Sequence, residues 1–554
     1  MKNFISVFVS LIFFISCSQH KTADRIYINA KIWTGDSSND RATVIAIKDS
    51  TILYVGNDYS AYKGSSSQII DVDGKMIVPG FTDNHTHFLG GGFQLASVDL
   101  RNAKTQEDFI SILKEYATAH KDDRWILGGD WDHEAWGGNL PTKEWIDSIS
   151  GNHPVFISRY DGHMGLANTI ALKLAHIDKN TPNPSGGEIV KDAKTGEPTG
   201  VLKDGAKDLI ESGAIPMPSQ NELDEYLQRA VQHAFEHGVT QVNDMSNFGG
   251  WADLATYRKA RAANKLNLRI YSFVPIRTWA KLDSFVKKEG WGDDMLHWGG
   301  LKGFVDGSLG STTAWFYKPY LDAPTKTGLQ VTDTILLRKW ILSADSAGLH
   351  IATHAIGDRA NDFILSVYEE AEKKTPNKDH RFRVEHAQHL TAMAIQKFAA
   401  LKVIPSMQPY HAIDDGKWAF KRLDSARLKG TYAFKSLLTE GANVTFGSDW
   451  TVAPLDPIAG IYAAVTRRTL DDKNPNGWFP EEKISVEQAL KCYTANNAYA
   501  SFQENKLGKL KAGMLADLVV LSDDILSIAP EKIRDIKVLR TVVNGKEVFV
   551  KKID

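Results

Sequence analysis

Short bursts of apolar residues, mostly β-branched, mark both ends of the chain, with longer mixed runs between them. Ile26-Tyr27-Ile28, Ala42 to Ile47 and Ile52 to Val55 have strand length and are separated by Gly and Asp turns. The C-terminal segment has the same texture: Asp517 to Leu521, Leu539 to Val543 and Glu547 to Val550, with Asn544-Gly545 as a hairpin turn between the last two. This pairing of β-rich ends predicts one small β-sandwich built from residues 24–75 and 507–554. Between them lie eight strand-like runs: Lys75–Asn84, Val239–Asp244, Leu268–Pro275, Gly299–Asp306, His350–His354, Arg381–His386, Lys402–Gln408 and Asn443–Asp449. Helical stretches such as Glu222–His237 separate many of them. Eight strands alternating with helices predict an α/β fold, a (β/α)8 TIM-like barrel over residues 76–91 and 219–500. One interval breaks the rhythm. Roughly 150 residues separate the first two strands, too many for one βα unit. Residues 92–218 therefore read as an inserted subdomain at the barrel's C-terminal face, where it shapes the pocket.

The first residues have another character. Met1-Lys2-Asn3 is a short basic start, and Phe4 to Ile15 is apolar but too short to span a membrane as a mature helix. The stretch closes on Phe14-Ile15-Ser16-Cys17-Ser18, which resembles a bacterial lipoprotein cleavage site. Residues 1–17 are expected to be a signal peptide with its lipidated cysteine; an ordinary secretory signal cleaved nearby is the alternative. Acyl chains on Cys17 would tether a soluble domain to a membrane surface, each buried methylene contributing about 0.8 kcal/mol. The expectation is an exported, membrane-anchored protein on the periplasmic or cell-surface side, held by its lipid alone. The other cysteine, Cys492, falls in an expected helix from Val486 to Ala500 and then has no disulfide partner.

Composition narrows the function classes. The chain has 554 residues, 43% hydrophobic, with 65 Lys and Arg against 67 Asp and Glu, for a formal net charge of −2. No basic block stands out, so nucleic acid is not an expected partner. A homo-oligomer is left open.

The chemistry gathers at strand ends. The first strand runs into His85-Thr86-His87, and residues two apart on a strand project to one side. Neutral imidazoles converging there look like half a metal site. Later runs end the same way: His354 after Leu349 to Thr353, His386 after Phe382 to Glu385, and Asp449 after Asn443 to Ser448. Strand ends are where barrels of this kind carry their active sites. Lys302 stands in the fourth run. An ammonium has no lone pair for a metal. Lys302 either lines the barrel, paired with Asp306 or a substrate carboxylate, or becomes a ligand by carboxylation to a carbamate. In the insertion, Trp131 and His133 are expected to line the substrate pocket, and Trp136 the insertion's own core.

Together these residues resemble the amidohydrolase superfamily in its two-metal branch. Finer matches are similar to amidohydrolase family 3, which includes N-substituted formamide deformylases. They are Gly129-Asp130-Trp131-Asp132, Asp161-Gly162-His163, Pro198 to Leu202, Lys302 to Gly310, Ala352 to Asp358, Val384 to Ala387 and Gly447-Ser448-Asp449-Trp450. Thr312 stands where the pattern leads one to expect arginine, which bears on substrate choice. The resemblance implies two divalent ions, expected to be zinc, held by His85, His87, Lys302, His354, His386 and Asp449, with carboxylated Lys302 as the bridge. A metal-activated water would attack a small-molecule amide or N-substituted formamide, with Asp449 binding one ion and carrying a proton to the departing amine. His163 is expected to add a polar contact to the substrate or the oxyanion, and Glu385 and Asp358 to orient ligands. A mononuclear hydrolase or deaminase with unmodified Lys302, an ester or phosphoester substrate, and a catalytically silent surface-tethered binding protein remain as alternatives.

Overall fold

The computed structural model describes residues 22–120, 124–159, 164–184 and 187–552. Cys17 with its signal segment, and His163, lie outside the described residues.

Eight parallel strands form the central sheet, in chain order around the ring. They are β1 (Phe81–Thr86), β2 (Val239–Asp244), β3 (Arg269–Pro275), β4 (Leu296–Phe304), β5 (His350–Ala355), β6 (Arg383–His386), β7 (Ile404–Met407) and β8 (Thr445–Phe446). The ring closes above β8, where Trp450 bridges Thr86 in parallel and the amides of Asp449 and His87 bond to the carbonyls of His85 and Trp450. Two features of the sequence allow that closure. A Cβ on Gly447 would lie 2.6 Å from the His85 nitrogen, so only glycine lets the eighth strand come this near the first. Asn497 then staples the two strands, donating to the carbonyls of Thr82 and Phe446 at 2.6 and 2.8 Å.

The first expected strand, Lys75–Asn84, is two strands in different sheets. Met76–Pro79 belongs to the sandwich and β1 to the barrel. They part at Pro79-Gly80, and a Cβ on Gly80 would come within 2.3 Å of Thr240 Oγ1. The expected helix from Val486 to Ala500 is likewise two, Val486–Tyr493 and Ala495–Ala500. Thr494 breaks it at φ −129° and ψ −90°. Cys492 is buried in the first of these, and burial pushes its thiol up, out of the reactive range.

The helices cover the barrel with apolar stripes. Gln220–Glu236 starts at a Ser219/Glu222 capping box and buries Leu223, Tyr226, Leu227, Ala230 and Ala234 at helical spacing. The sandwich stacks a four-stranded N-terminal sheet on a six-stranded sheet in which Leu518–Leu521 pairs with Met76–Pro79. Its core comprises Ile32, Ile45, Ile52, Ile77, Val520 and Val542 among others. The Asn544-Gly545 turn takes φ of 51° and 70°, the left-handed pair that suits a tight hairpin. The sandwich is fastened to the barrel by Arg269 at the start of β3, whose buried guanidinium makes two bonds to Asp517, at 2.7 and 2.9 Å.

Helix Phe88–Ala96 leaves β1 and packs on Gln220–Glu236, after which the insertion begins with Val98. It carries its own mixed six-stranded sheet and a core of Phe109, Leu113, Ile146, Ile157 and Leu166. Among the described residues no helix is long and apolar enough to cross a membrane.

Candidate metal centre

The ends of β1, β4, β5, β6 and β8 bring His85, His87, Lys302, His354, His386 and Asp449 together at the C-terminal mouth of the barrel. The rings of His85 and His87 lie 5.7 Å apart, those of His85 and His386 4.9 Å, and those of His386 and His354 4.5 Å. Asp449 Oδ1 is 3.5 Å from His85 Nε2 and 3.3 Å from His87 Nε2. Lys302 Nζ donates to His85 Nε2 at 3.2 Å. Ligand-bearing residues His386 and Asp449 adopt φ of 73° and 60°, a left-handed backbone that non-glycine residues hold only where surroundings impose it.

Each imidazole is oriented from behind. His85 Nδ1 donates to Glu385 Oε2 at 2.5 Å, His87 Nδ1 to the Ser246 carbonyl at 2.5 Å, and His386 Nδ1 to Gln408 Oε1 at 2.9 Å. An outward N–H bonded to a fixed acceptor leaves the inward Nε2 with its lone pair, the form a metal requires. His354 differs: its Nε2 contacts the Gly307 carbonyl at 3.1 Å, so Nδ1 is its nitrogen left for a ligand. Strand alternation places Glu385 opposite His386. The left-handed φ at His386 ends that alternation, and both side chains turn toward the cluster. Glu385 is held in turn by Arg383 Nε at 2.7 Å and Ser406 Oγ at 2.7 Å.

Burial governs the charges. It lowers His85 to about 4 and His354 to about 3, the nearby Lys302 ammonium adding to both. Burial also lowers Lys302 to about 8, against the pull of Glu385 and Asp449. The same burial would raise the two carboxylates, yet both stay well below the usual range. The histidines hold Asp449 there, and Arg383 with His85 holds Glu385. Asp306 is pushed up to about 7 by burial, against bonds from the Trp315, Gly357 and Ile356 amides. It pins the loop after β4 to the end of β5 and is not the partner of Lys302.

The donors form two groups, His85 with His87 and Asp449, and His386 with His411 and Asp449, each with ligand atoms within 4.8 Å of one another. This chemistry fits divalent ions: imidazoles with inward nitrogens, an ionised carboxylate whose bond to His87 raises that ring against the burial that would lower it, and a buried His411 Nε2 with no hydrogen-bond partner.

Several expected residues stand elsewhere. Trp131 does not line a pocket: it is fully buried in the insertion core, its indole N–H bonded to the Ile157 carbonyl at 2.9 Å. Strand residues Gly128–Trp131 turn that ring inward, a consequence of the insertion having a sheet of its own. His133 accepts from Arg159 Nε at 3.2 Å within the insertion. Trp136 packs against Phe109 and Trp145. Asp358 touches no ligand; it accepts from the amides of Tyr317 and Arg359. His411 is a site residue that no strand-end pattern marks. The expected seventh strand ended at Gln408, and the signal was in the next residues: Pro409 opens a helix at the rim and puts His411 in its first turn.

A cleft of about 1010 Å³ lies between the barrel rim and the insertion. Phe93, Asn247 and Thr451 on its barrel side follow shortly after His87, Ser246 and Asp449; Arg101, Asp130 and Phe156 face them from the insertion.

A family model described as "Amidohydrolase family" matches residues 68–549. The chain is 39% identical to "Protein LONG AFTER FAR-RED 3" of Arabidopsis thaliana, covering 95% of this chain and 92% of that one. It is 28% identical to "N-substituted formamide deformylase" of Arthrobacter pascens, covering 94% and 97%. The fold superposes on an uncharacterized metal-dependent hydrolase from Pyrococcus furiosus with a TM-score of 0.76 at 29% identity, covering 91% of this chain and 100% of that one.

Proposed function

The chain belongs to the amidohydrolase family, and from that premise we propose that it hydrolyses a linear amide or N-substituted formamide at a centre of two divalent ions, most simply zinc. It is a metal-dependent hydrolase acting on carbon–nitrogen bonds. The observation that carries the finer reading is the convergence of His85, His87, His386 and Asp449 at one barrel mouth, each ring fixed by an acceptor on its far side. Its likeness to the Arthrobacter pascens protein supports the formamide end of the class.

His85, His87, Lys302, His354, His386 and Asp449 would hold the ions. When bound, the ions supply Lewis acidity, making a water more acidic and a carbonyl more electrophilic. Asp449 starts ionised, takes the proton of the attacking water and gives it to the departing nitrogen. Water adds across the C–N bond, which breaks to a carboxylic acid, or formate, and a free amine. Lys302 would become a ligand by adding its neutral amine to carbon dioxide with loss of one proton. Burial makes that neutral amine accessible at ordinary pH. Glu385, Ser246 and Gln408 keep the rings from turning. The cleft beside Phe93 and Thr451 gives room for the group carried on the amide.

The test is metal content and amine release from a panel of N-formyl and N-acyl amines, using protein freed of its signal segment. Two ions per chain and amine release are expected, with turnover abolished by Asp449→Asn in a protein that stays folded. Lys302→Ala should lose metal until short carboxylic acids are added. A metal-loaded protein that cleaves esters but no amide, or an active Asp449→Asn, would sink the reading.

The same reading includes export and tethering through Cys17. Labelled fatty acid should enter the chain in a bacterial host and be lost with Cys17→Ser; equal labelling of both forms would refute it.

A further inference from the structure

Among the described residues, His411 is the one imidazole at the barrel mouth that comes from within a helix and not from a strand end. It sits in the first turn of Pro409–Asp415, a helix held firmly in place. Ala412 and Ile413 are buried in the barrel core, and Asp415 accepts from Tyr432 Oη at 2.6 Å and Gln388 Nε2 at 2.7 Å. The His411 ring lies 6.4 Å from the His386 ring and nearly parallel to it, at 13°. Its Nε2 is buried without a hydrogen-bond partner, 4.0 Å from Asp449 Oδ2. That distance is too long for a hydrogen bond. A buried imidazole nitrogen left unpaired carries its whole desolvation cost, so this geometry calls for a group between the two side chains.

The two oxygens of Asp449 divide the site. Oδ1 faces His85 and His87 at 3.5 and 3.3 Å, while Oδ2 is the oxygen measured against His411. Donors bound to one zinc at about 2.0–2.2 Å stand roughly 3–4 Å from one another. Both sides of the carboxylate match that spacing. Resting on the two-metal reading above, we infer that His411 is a protein ligand of the second ion, with His386 and Asp449, and that the Asp449 carboxylate spans both metal positions. The second ion is thereby tied to the helix after β7.

The experiment loads full-length processed protein with zinc, and in parallel with cobalt, and compares wild type with His411→Ala and His411→Gln. Metal per chain after dialysis, affinity in competition with a chelator, and the visible spectrum of the cobalt form are the readouts. Wild type should hold two ions. Both variants should keep the first at wild-type affinity and bind the second at least about tenfold more weakly. The cobalt spectrum should change as one nitrogen donor is lost. Circular dichroism identifies any variant that fails to fold, and His411→Gln, close in size but a poor ligand, then carries the comparison. Two ions held at wild-type affinity with an unchanged cobalt spectrum in the variants would overturn the inference and leave the metal-dependent reading intact. A rise in KM alone would do the same, making His411 a substrate contact. A wild-type protein that takes up no divalent ion would overturn both.

Discussion

The inward nitrogens of His85, His87 and His386 owe their direction to outward bonds, and the most consequential of these runs from Arg383 through Glu385 to His85. All three side chains are fully buried. Glu385→Gln keeps an acceptor for His85 but removes the charge that balances both Arg383 and the metal-facing ring. Metal affinity should fall about 10–100-fold, measured by chelator competition. The Arg383 guanidinium would be left buried without its anion, and urea unfolding should report a loss of about 3–5 kcal/mol. Unchanged values in both would mean the ring is held by packing alone. Trp131 teaches the opposite lesson at this scale. Its place in the insertion at the barrel's C-terminal face points to a pocket, but its burial and its bond to Ile157 make it a core residue. Trp131→Ala should cost about 3–5 kcal/mol of stability while leaving metal content unaltered. Metal loss without loss of stability would restore the pocket reading.

Elements meet where side chains are smallest or charges deepest. Gly447 lets the eighth strand approach His85 and lets the Ser448 amide reach Asp83 Oδ1 at 2.9 Å. Gly447→Ala should force these strands apart and weaken metal binding and stability together. An alanine variant with wild-type metal affinity would show that the seam yields without disturbing the ligands. The sandwich meets the barrel through Arg269 and Asp517, which are almost wholly buried, and Asn544 adds a further acceptor. Arg269→Ala strands a buried carboxylate and should cost about 3–5 kcal/mol by chemical denaturation, much of it recovered in the double variant Arg269→Met with Asp517→Leu. No recovery would assign the cost to lost packing.

At the scale of the whole molecule, three bodies share one centre: the barrel supplies ligands, the sandwich braces the barrel from both chain ends, and the insertion walls the cleft. An ion that binds only the folded state adds stability, about 2.7 kcal/mol when it is in hundredfold excess over its dissociation constant. Stripping metal with a chelator should therefore lower the melting temperature in calorimetry, and zinc should restore it. An unmoved melting temperature would mean that these residues bind no ion in the folded chain. The sequence by itself determined the barrel, the sandwich from both termini, and strand ends bearing His85, His87, Lys302, His354, His386 and Asp449, because alternation and β-branched runs are local signals that survive without tertiary context. Contacts that join residues far apart in the chain were decided by the tertiary structure alone. The split at Pro79-Gly80 depends on Thr240, the turn of Glu385 toward His85 on the left-handed backbone at His386, and the burial of Trp131 on a sheet that only the folded insertion has. His411 joins the centre because a proline-started helix folds back over the rim, a path fixed by what Asp415 and the buried face of that helix pack against.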